Sequence, residues 1–271
     1  MENYYGNNND NGYHSYDNGY QQNGYQQNGY QPNGYPKNGN TYYDQVNSFE
    51  TATNRDEIKS KIITRSYIVM LVSLLITAFA ATATAMDAAT FYSMLNYAFK
   101  PLIIIEVLVA IGASYFIGKK NVAAAAVMYL AYTIMNGVTM SVIFYAFDLS
   151  SIQQVFLTTA ILFGVMAGIG AVTKKDLTSL GSLLSMALIG VIIVSIFAGI
   201  FGYTGMDMAI NYIVVFIFVG LTAYDAQKVK VYANTASESD INVLALYSGM
   251  QLYLDFINIF IRLLAIMGKR K

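Results

Sequence analysis

The sequence predicts an all-α polytopic membrane protein, and composition and patterning agree on this. The chain of 271 residues is 55% hydrophobic and only 12% charged, whereas about a quarter of the residues in a soluble domain are charged. Its apolar residues form continuous runs of about 20, each long enough to cross about 30 Å of hydrocarbon. These runs lack the polar–apolar alternation of a membrane β-barrel.

Composition also narrows the chemistry. The chain has no cysteine, and its only histidine is His14, so disulfides, thiolate catalysis and zinc sites built from Cys and His are excluded. The formal net charge is zero, which gives no argument for nucleic acid as a partner. We therefore expect no cofactor, and the lipid bilayer as the main partner. The first apolar run starts after about 60 residues and is too long for the core of a signal peptide.

The chain divides into three predicted parts. In residues 1–50, Asn-Gly-Tyr recurs with a five-residue period and aliphatic residues are almost absent, which predicts a disordered tail because such a tract cannot build a core. Residues 51–61 form an amphipathic lead-in, and residues 62–271 form a seven-helix membrane domain. The predicted spans are residues 62–85, 99–117, 121–146, 152–172, 180–203, 208–227 and 241–267.

Charge in the connectors predicts the orientation. Basic residues precede the first span and lie between spans two and three, four and five, and six and seven, whereas the other connectors carry acids. The positive-inside rule then places the N-terminus in the cytoplasm, in what we expect to be a bacterial plasma membrane. The C-terminus, Gly268-Lys269-Arg270-Lys271, is basic although alternation places it outside. The seventh segment either spans fully, which we favour, or is re-entrant.

Two aspartates within apolar segments are the leading site residues. Asp225 ends the sixth predicted span and Asp255 lies within the seventh. A carboxylate in a lipid-spanning segment costs several kcal/mol unless it is paired, protonated or hydrated, so it indicates a functional site. Two such groups held close together can share one proton. The alternatives are a salt-bridged Asp225 at a helix end and a structural, hydrogen-bonded Asp255.

Polar residues at helical spacing surround this pair. Gln251, Asn258 and Arg262 fall on about the same helical face as Asp255, a pattern typical of a helix that faces a bundle interior. Lys228 follows Asp225 by three residues, so its positive charge is positioned to compensate the negative charge of the Asp225 carboxylate.

Two further polar residues interrupt apolar segments. Glu106 is a third intramembrane acid, with Arg262 as a candidate partner; the alternative is a residue near the interface that snorkels. Asn136 is a polar position in the third span, where an interhelical hydrogen bond is the simpler interpretation. Asp176 is placed to cap the fifth span.

The combination of GLTAYDAQKV, LYLDFINIFIRLL, TKKDLTSLGSLL and NGVTMSVIF resembles the transmembrane Bax inhibitor motif family, over roughly residues 55–268. The resemblance implies six helices around a central C-terminal one. It also implies a pH-sensitive calcium leak channel whose pH sensor is a pair of aspartates on the last two helices, here Asp225 and Asp255. Glu106 matches an acid on the second helix of bacterial relatives. Two arginines of the bacterial patterns are replaced by Ile117 and Ala265, so the gating contacts are expected to differ.

Three functions remain open at this point. The leading one is a passive, pH-regulated calcium leak, in which Asp225 and Asp255 transiently bind calcium through oxygen ligands and protons compete for the same oxygens. The second is a regulatory protein that does not transport ions and binds a membrane protein partner. The third, an intramembrane aspartyl protease, lacks the Gly-x-Gly-Asp context of those enzymes, since Asp255 follows Tyr253-Leu254; we expect the protein not to be an enzyme.

Overall fold

A computed structural model of the chain describes residues 40–201 and 207–271. The chain divides into two units, residues 1–45 and 46–271, and the second contains all the spans described below. Every regular element among the described residues is helical, which confirms the all-α prediction. The α-helices are α1 (Asn40–Met86), α2 (Ala88–Ser93), α3 (Phe99–Gly118), α4 (Val122–Met140), α5 (Val142–Ala146), α6 (Leu149–Val172), α7 (Thr178–Phe201), α8 (Asp207–Thr235) and α9 (Ile241–Met267).

Seven of the helical stretches in this described part are long and apolar enough to cross a membrane, as predicted. A π-helical turn, Met94–Ala98, joins α2 to α3 in the second span, and α4 and α5 together form the third. Helices satisfy their own backbone hydrogen bonds, which is why apolar runs of this length fold as helices in lipid. The chain belongs to the class of polytopic α-helical membrane proteins.

Two predicted boundaries are corrected. Helix α1 begins at Asn40, so the last eleven residues of the predicted tail and the whole lead-in are helical; the remainder of the tail, with its repeat, lies outside the described residues. The second span begins at Ala88 rather than at residue 99, with Asp87 as its N-cap. Both stretches lack the strongest helix breakers, because after Gly39 the sequence contains no glycine or proline until Pro101.

The seventh segment spans the bundle fully, and the re-entrant alternative is wrong. Helix α9 is continuous over 27 residues, or about 40 Å at 1.5 Å per residue. At its start, Asp240 pairs with Lys120 at 2.7 Å. Beyond its end, the Lys269 carbonyl accepts a hydrogen bond of 3.0 Å from the Asp148 amide. Since Lys120 and Asp148 flank opposite ends of the third span, the two ends of α9 lie at opposite ends of the bundle.

Helix α9 is the central helix. Leu252, Tyr253 and Ile259 are 0% exposed, and α9 packs against α3, α4, α6 and α8. It also contacts α1, where a Cβ added at Gly249 would lie 2.8 Å from the Ser66 carbonyl oxygen. Helix α7 packs against α8 instead. Small residues permit such close backbone contacts in membrane bundles.

The Asp176 cap predicted for the fifth span is confirmed. Its carboxylate accepts hydrogen bonds from the backbone amide and the hydroxyl of Thr178, at 2.9 and 2.6 Å. These bonds, chiefly the one from the Thr178 hydroxyl, lower the pKa of Asp176 because they favour the charged form. The cap fixes where α7 begins.

Candidate functional site

The structure brings Asp225 and Asp255 together between α8 and α9. Their carboxyl groups are close enough to interact with each other, and the residues are only 7% and 3% exposed. Oδ2 of Asp255 is buried without a hydrogen-bond partner among the described residues. A hydrogen bond between two carboxyl groups needs a proton on one of them, so the geometry suits a pair that shares a single proton.

Asp225 does not lie at a helix end. Helix α8 continues for ten more residues to Thr235, about 15 Å of helix. The helix-end alternative for Asp225 is therefore wrong, although its expected partner is present: Lys228 Nζ lies 3.8 Å from Asp225 Oδ1. The carboxylate is a mid-helix group with one cation beside it.

Lys228 is held from several sides. Its ammonium donates a hydrogen bond of 3.1 Å to the Tyr247 hydroxyl of α9. It also lies over the rings of Tyr224, Tyr232 and Tyr247, at 5.5, 5.7 and 5.2 Å from their centroids. Gln251 donates to the same Tyr247 hydroxyl at 3.0 Å. Gln251 is thus linked to Lys228 through Tyr247, a residue that no sequence pattern marked.

A cavity of about 710 Å³ opens beside the pair, between α7, α8 and α9. Gln251, Asn258 and Arg262 line it with Asp225 and Lys228, so the predicted polar stripe of α9 does face an interior space. Asn258 donates from Nδ2 to the Leu254 carbonyl at 2.8 Å. Asp255 is not among the described residues that line it. From Gln251 to Arg262 the helix rises about 16 Å, roughly half the thickness of the hydrocarbon core.

Arg262 and Glu106 are not partners. Arg262 Nη1 donates to Asn211 Oδ1 of α8 at 3.0 Å, whereas Glu106 accepts a 2.8 Å hydrogen bond from the Thr139 hydroxyl of α4. The two side chains lie at different depths, because Arg262 is five residues from the end of α9 and Glu106 is in the middle of its span. The predicted pairing is therefore corrected.

Glu106 instead belongs to a second polar cluster. It is 8% exposed, so it does not snorkel to the interface, and Asn136 Nδ2 lies 3.5 Å from its Oε2. The Tyr253 hydroxyl donates to Asn136 Oδ1 at 3.1 Å and lies 2.7 Å from the Thr77 hydroxyl. The expected interhelical hydrogen bond of Asn136 is confirmed, and the cluster links α1, α3, α4 and α9. Tyr253 gave no sequence signal, because a tyrosine within an apolar helix is ordinarily a packing residue.

The described residues contain no group of three or more His, Cys, Asp or Glu that would form a resident metal site. The pair offers two carboxyl groups, whereas calcium takes six to eight oxygen ligands. Two carboxyl groups provide at most four of these oxygens.

Comparison with known proteins agrees with the resemblance found in the sequence. A family model described as "Inhibitor of apoptosis-promoting Bax1" matches residues 59–271. The inner membrane protein YbhL of Escherichia coli K12 is 38% identical over 207 residues, covering 74% of this chain and 88% of YbhL. An uncharacterized protein of Borreliella burgdorferi is 35% identical over 220 residues, covering 79% and 94% of the two chains. One from Rickettsia prowazekii is 30% identical over 219 residues, covering 80% and 92%. The chain therefore belongs to the Bax1-inhibitor (Bax1-I) family of membrane proteins.

Proposed function

We propose that the protein is a pH-regulated passive calcium leak whose proton-sensitive group is the Asp225–Asp255 pair. The observation that carries the proposal is the contact between two buried carboxyl groups from successive spans. Buried ionisable groups of this kind are expensive in a bilayer and mark proton or ion pathways.

Charge counting gives the sign of the pH dependence. With one shared proton the pair carries one negative charge, which the Lys228 ammonium at 3.8 Å balances. Loss of that proton leaves two negative charges against one positive charge, and the set then attracts a cation. Protons and calcium therefore compete for the same oxygens. We expect acid to favour the closed, hydrogen-bonded pair and higher pH to favour calcium entry.

The cavity supports a route for the ion. It runs from Arg262 to Asp225 beside the central helix and covers about half of the hydrocarbon thickness. In this conformation the cavity lining ends at Lys228 and Gln251, about one turn beyond Asp225, so passage requires a rearrangement there. The structure corresponds to a closed state in this proposal.

We place the protein in a bacterial plasma membrane with its N-terminus in the cytoplasm. The basic connectors favour this orientation, and a relative from Escherichia coli is named an inner membrane protein. Because the chain has no cysteine, single Ser239→Cys and Lys271→Cys variants test it. A membrane-impermeant maleimide should label Lys271→Cys in intact cells and Ser239→Cys only after lysis; the reverse pattern would refute the orientation.

One observation favours the second candidate, a regulator that does not transport ions and acts on a membrane protein partner. Three charged residues line the cavity, and two of them, Lys228 and Arg262, are cations. A lining with net positive charge disfavours calcium unless a cation moves. No enzymatic activity is proposed, because Asp255 follows Tyr253-Leu254 rather than a glycine-rich turn that would admit a peptide.

Calcium flux into proteoliposomes between pH 5 and 8 separates the two candidates. Wild type is compared with Asp225→Asn and Asp255→Asn, and with Asp176→Asn as a control, since Asp176 is an exposed carboxylate outside the spans. The leak requires a pH-dependent flux that either site variant flattens and the control leaves unchanged. Folded protein without flux above empty liposomes, together with a partner recovered by crosslinking, would establish the regulator instead.

A further inference from the structure

The surroundings of the Lys228 ammonium have the composition of a cation-binding site. A carboxylate oxygen of Asp225 lies at 3.8 Å and the Tyr247 hydroxyl accepts a hydrogen bond at 3.1 Å. The Lys228 side chain is only 20% exposed. An ammonium loses much of its hydration in such a position, and the oxygens around it replace that hydration.

Three tyrosine rings complete the enclosure. Tyr224 and Tyr232 lie one turn before and after Lys228 on α8, and Tyr247 comes from α9. All three ring centroids are 5.2–5.7 Å from Nζ, within the roughly 6 Å over which an aromatic face attracts a cation. We call Tyr224, Tyr232 and Tyr247 the aromatic cage. Cages of this kind recognise ammonium ligands in other proteins.

The aromatic cage adjoins one end of the cavity: Tyr224 lines it, whereas Tyr232 and Tyr247 line a second cavity of about 410 Å³. Asp225 is the only carboxylate among the described cavity-lining residues, and Lys228 lines the same end. A cation that enters from the Arg262 end would therefore find Asp225 already paired with an ammonium carried by the chain itself. Coulomb repulsion between a divalent ion and this ammonium at contact distance remains strong even at an effective dielectric constant of about 20.

We propose that the aromatic cage and Asp225 form a binding site for a primary alkylammonium, that Lys228 is its resident occupant, and that this tethered cation excludes calcium from Asp225 until it withdraws. The exclusion of calcium rests on the proposed function, whereas the ammonium site does not. Lysine suits the role because its charge is a single point on a flexible four-carbon stem. An arginine at this position would instead present several donors in a fixed plane.

The ammonium site is tested by chemical rescue. Lys228→Ala removes three methylene groups and the ammonium, which n-propylammonium replaces. Purified full-length variant in detergent is heated with increasing n-propylammonium chloride, with n-propanol and equal sodium chloride as controls. At ten times the half-saturating concentration, we expect the Tm of Lys228→Ala to rise by about 3 °C or more. Wild type should not respond, because its site is full. An equal response in wild type, or none in either protein, would overturn the proposal.

The exclusion of calcium is tested with Lys228→Met and Lys228→Arg. This test does not depend on whether Lys228→Ala folds. Met keeps most of the apolar stem without the charge, and Arg keeps the charge. In proteoliposomes at a fixed pH, Lys228→Met should lower the half-saturating calcium concentration about tenfold or more, and Lys228→Arg should not. Equal values for both variants would refute the tethered competitor. Absence of flux in every protein, with intact rescue by n-propylammonium, would reject the leak and leave the ammonium site in place.

Discussion

Gly170 is the position where one added carbon should disturb the site most. It lies on α6 against α8, and a Cβ built there would be 2.8 Å from the carbonyl carbon and 2.9 Å from the Cα of Ala223. These neighbours are backbone atoms, so no side chain can rotate away. Bringing the 2.8 Å contact to an ordinary 3.4 Å would alone require α8 to move by about 0.6 Å, and because the Ala223 carbonyl oxygen lies closer still, the full displacement is larger. Asp225 is two residues from Ala223 and would move with it.

Gly168 provides a matched control on the same helix, because a Cβ there meets nothing within 4 Å. Both Gly→Ala changes gain up to about 1 kcal/mol of helix propensity, and only Gly170→Ala carries the overpacking cost of about 1–3 kcal/mol. Gly170→Ala should therefore be less stable than Gly168→Ala by about 1–3 kcal/mol. Gly168→Ala itself should be neutral or stabilising.

Reversible unfolding in mixed micelles, followed by circular dichroism as the SDS fraction rises, measures this difference. The calcium flux profile provides a second readout, since displacement of Asp225 should shift the pH dependence of Gly170→Ala alone. Equal stability of the two variants would refute the close contact of α6 with α8. A shifted pH profile in Gly168→Ala would show that the effect does not arise from the contact.

Two other changes test the supporting structure. Tyr253→Phe should lower the free energy of unfolding by about 1–3 kcal/mol, because it leaves buried partners of the hydroxyl unpaired; Tyr212→Phe, at a residue 58% exposed, should change it by less than about 0.5 kcal/mol. Asp176→Asn keeps an acceptor for the helix cap but cannot ionise. Since hydrogen bonds lower the pKa of Asp176, its stabilising effect is complete above the ordinary carboxylate pKa of about 3.9 and is lost as the pH falls through the lowered value. Wild type should therefore lose stability relative to Asp176→Asn as the pH falls below about 4, and parallel curves would contradict this.

The elements that the sequence predicts well are those that length and apolarity decide. The seventh predicted span, residues 241–267, agrees with α9. The sixth, residues 208–227, matches the start of α8 but stops eight residues before its C-terminal end at Thr235. The prediction missed Ala88–Ala98 because a polar, tyrosine-containing stretch after Asp87 reads as a connector, whereas the chain there has no residue that breaks a helix. Composition locates the apolar part of a helix. It does not show how far the same helix continues beyond the lipid.

The candidate site was predictable in its residues and less so in its partners. Helical period places Gln251, Asn258 and Arg262 on one face, and the structure agrees. The helical period does not show which helix that face contacts. The predicted partner of Glu106 was therefore Arg262, whereas the structure gives Thr139. The contact of Lys228 with Tyr247 joins residues 19 apart on different helices. No local rule predicts such a contact, because it depends on how α8 and α9 cross.

The backbone on both sides of the carboxyl pair is firmly held, which limits how Asp225 can be uncovered. Tyr253 and Asp255 are two residues apart and so lie on roughly opposite faces of α9. Moving α9 to separate the pair would therefore break the hydrogen bonds of Tyr253 to Thr77 and Asn136 or carry α1 and α4 with it. On the other side, the close contact at Gly170 restrains α8. Withdrawal of the Lys228 side chain needs neither movement: it breaks one hydrogen bond, one ion pair that is not in close contact and the three contacts with the aromatic cage, but it displaces no backbone. A side-chain step at Lys228 is therefore the least costly first step towards an exposed Asp225, and helix movement can follow once the cation has left.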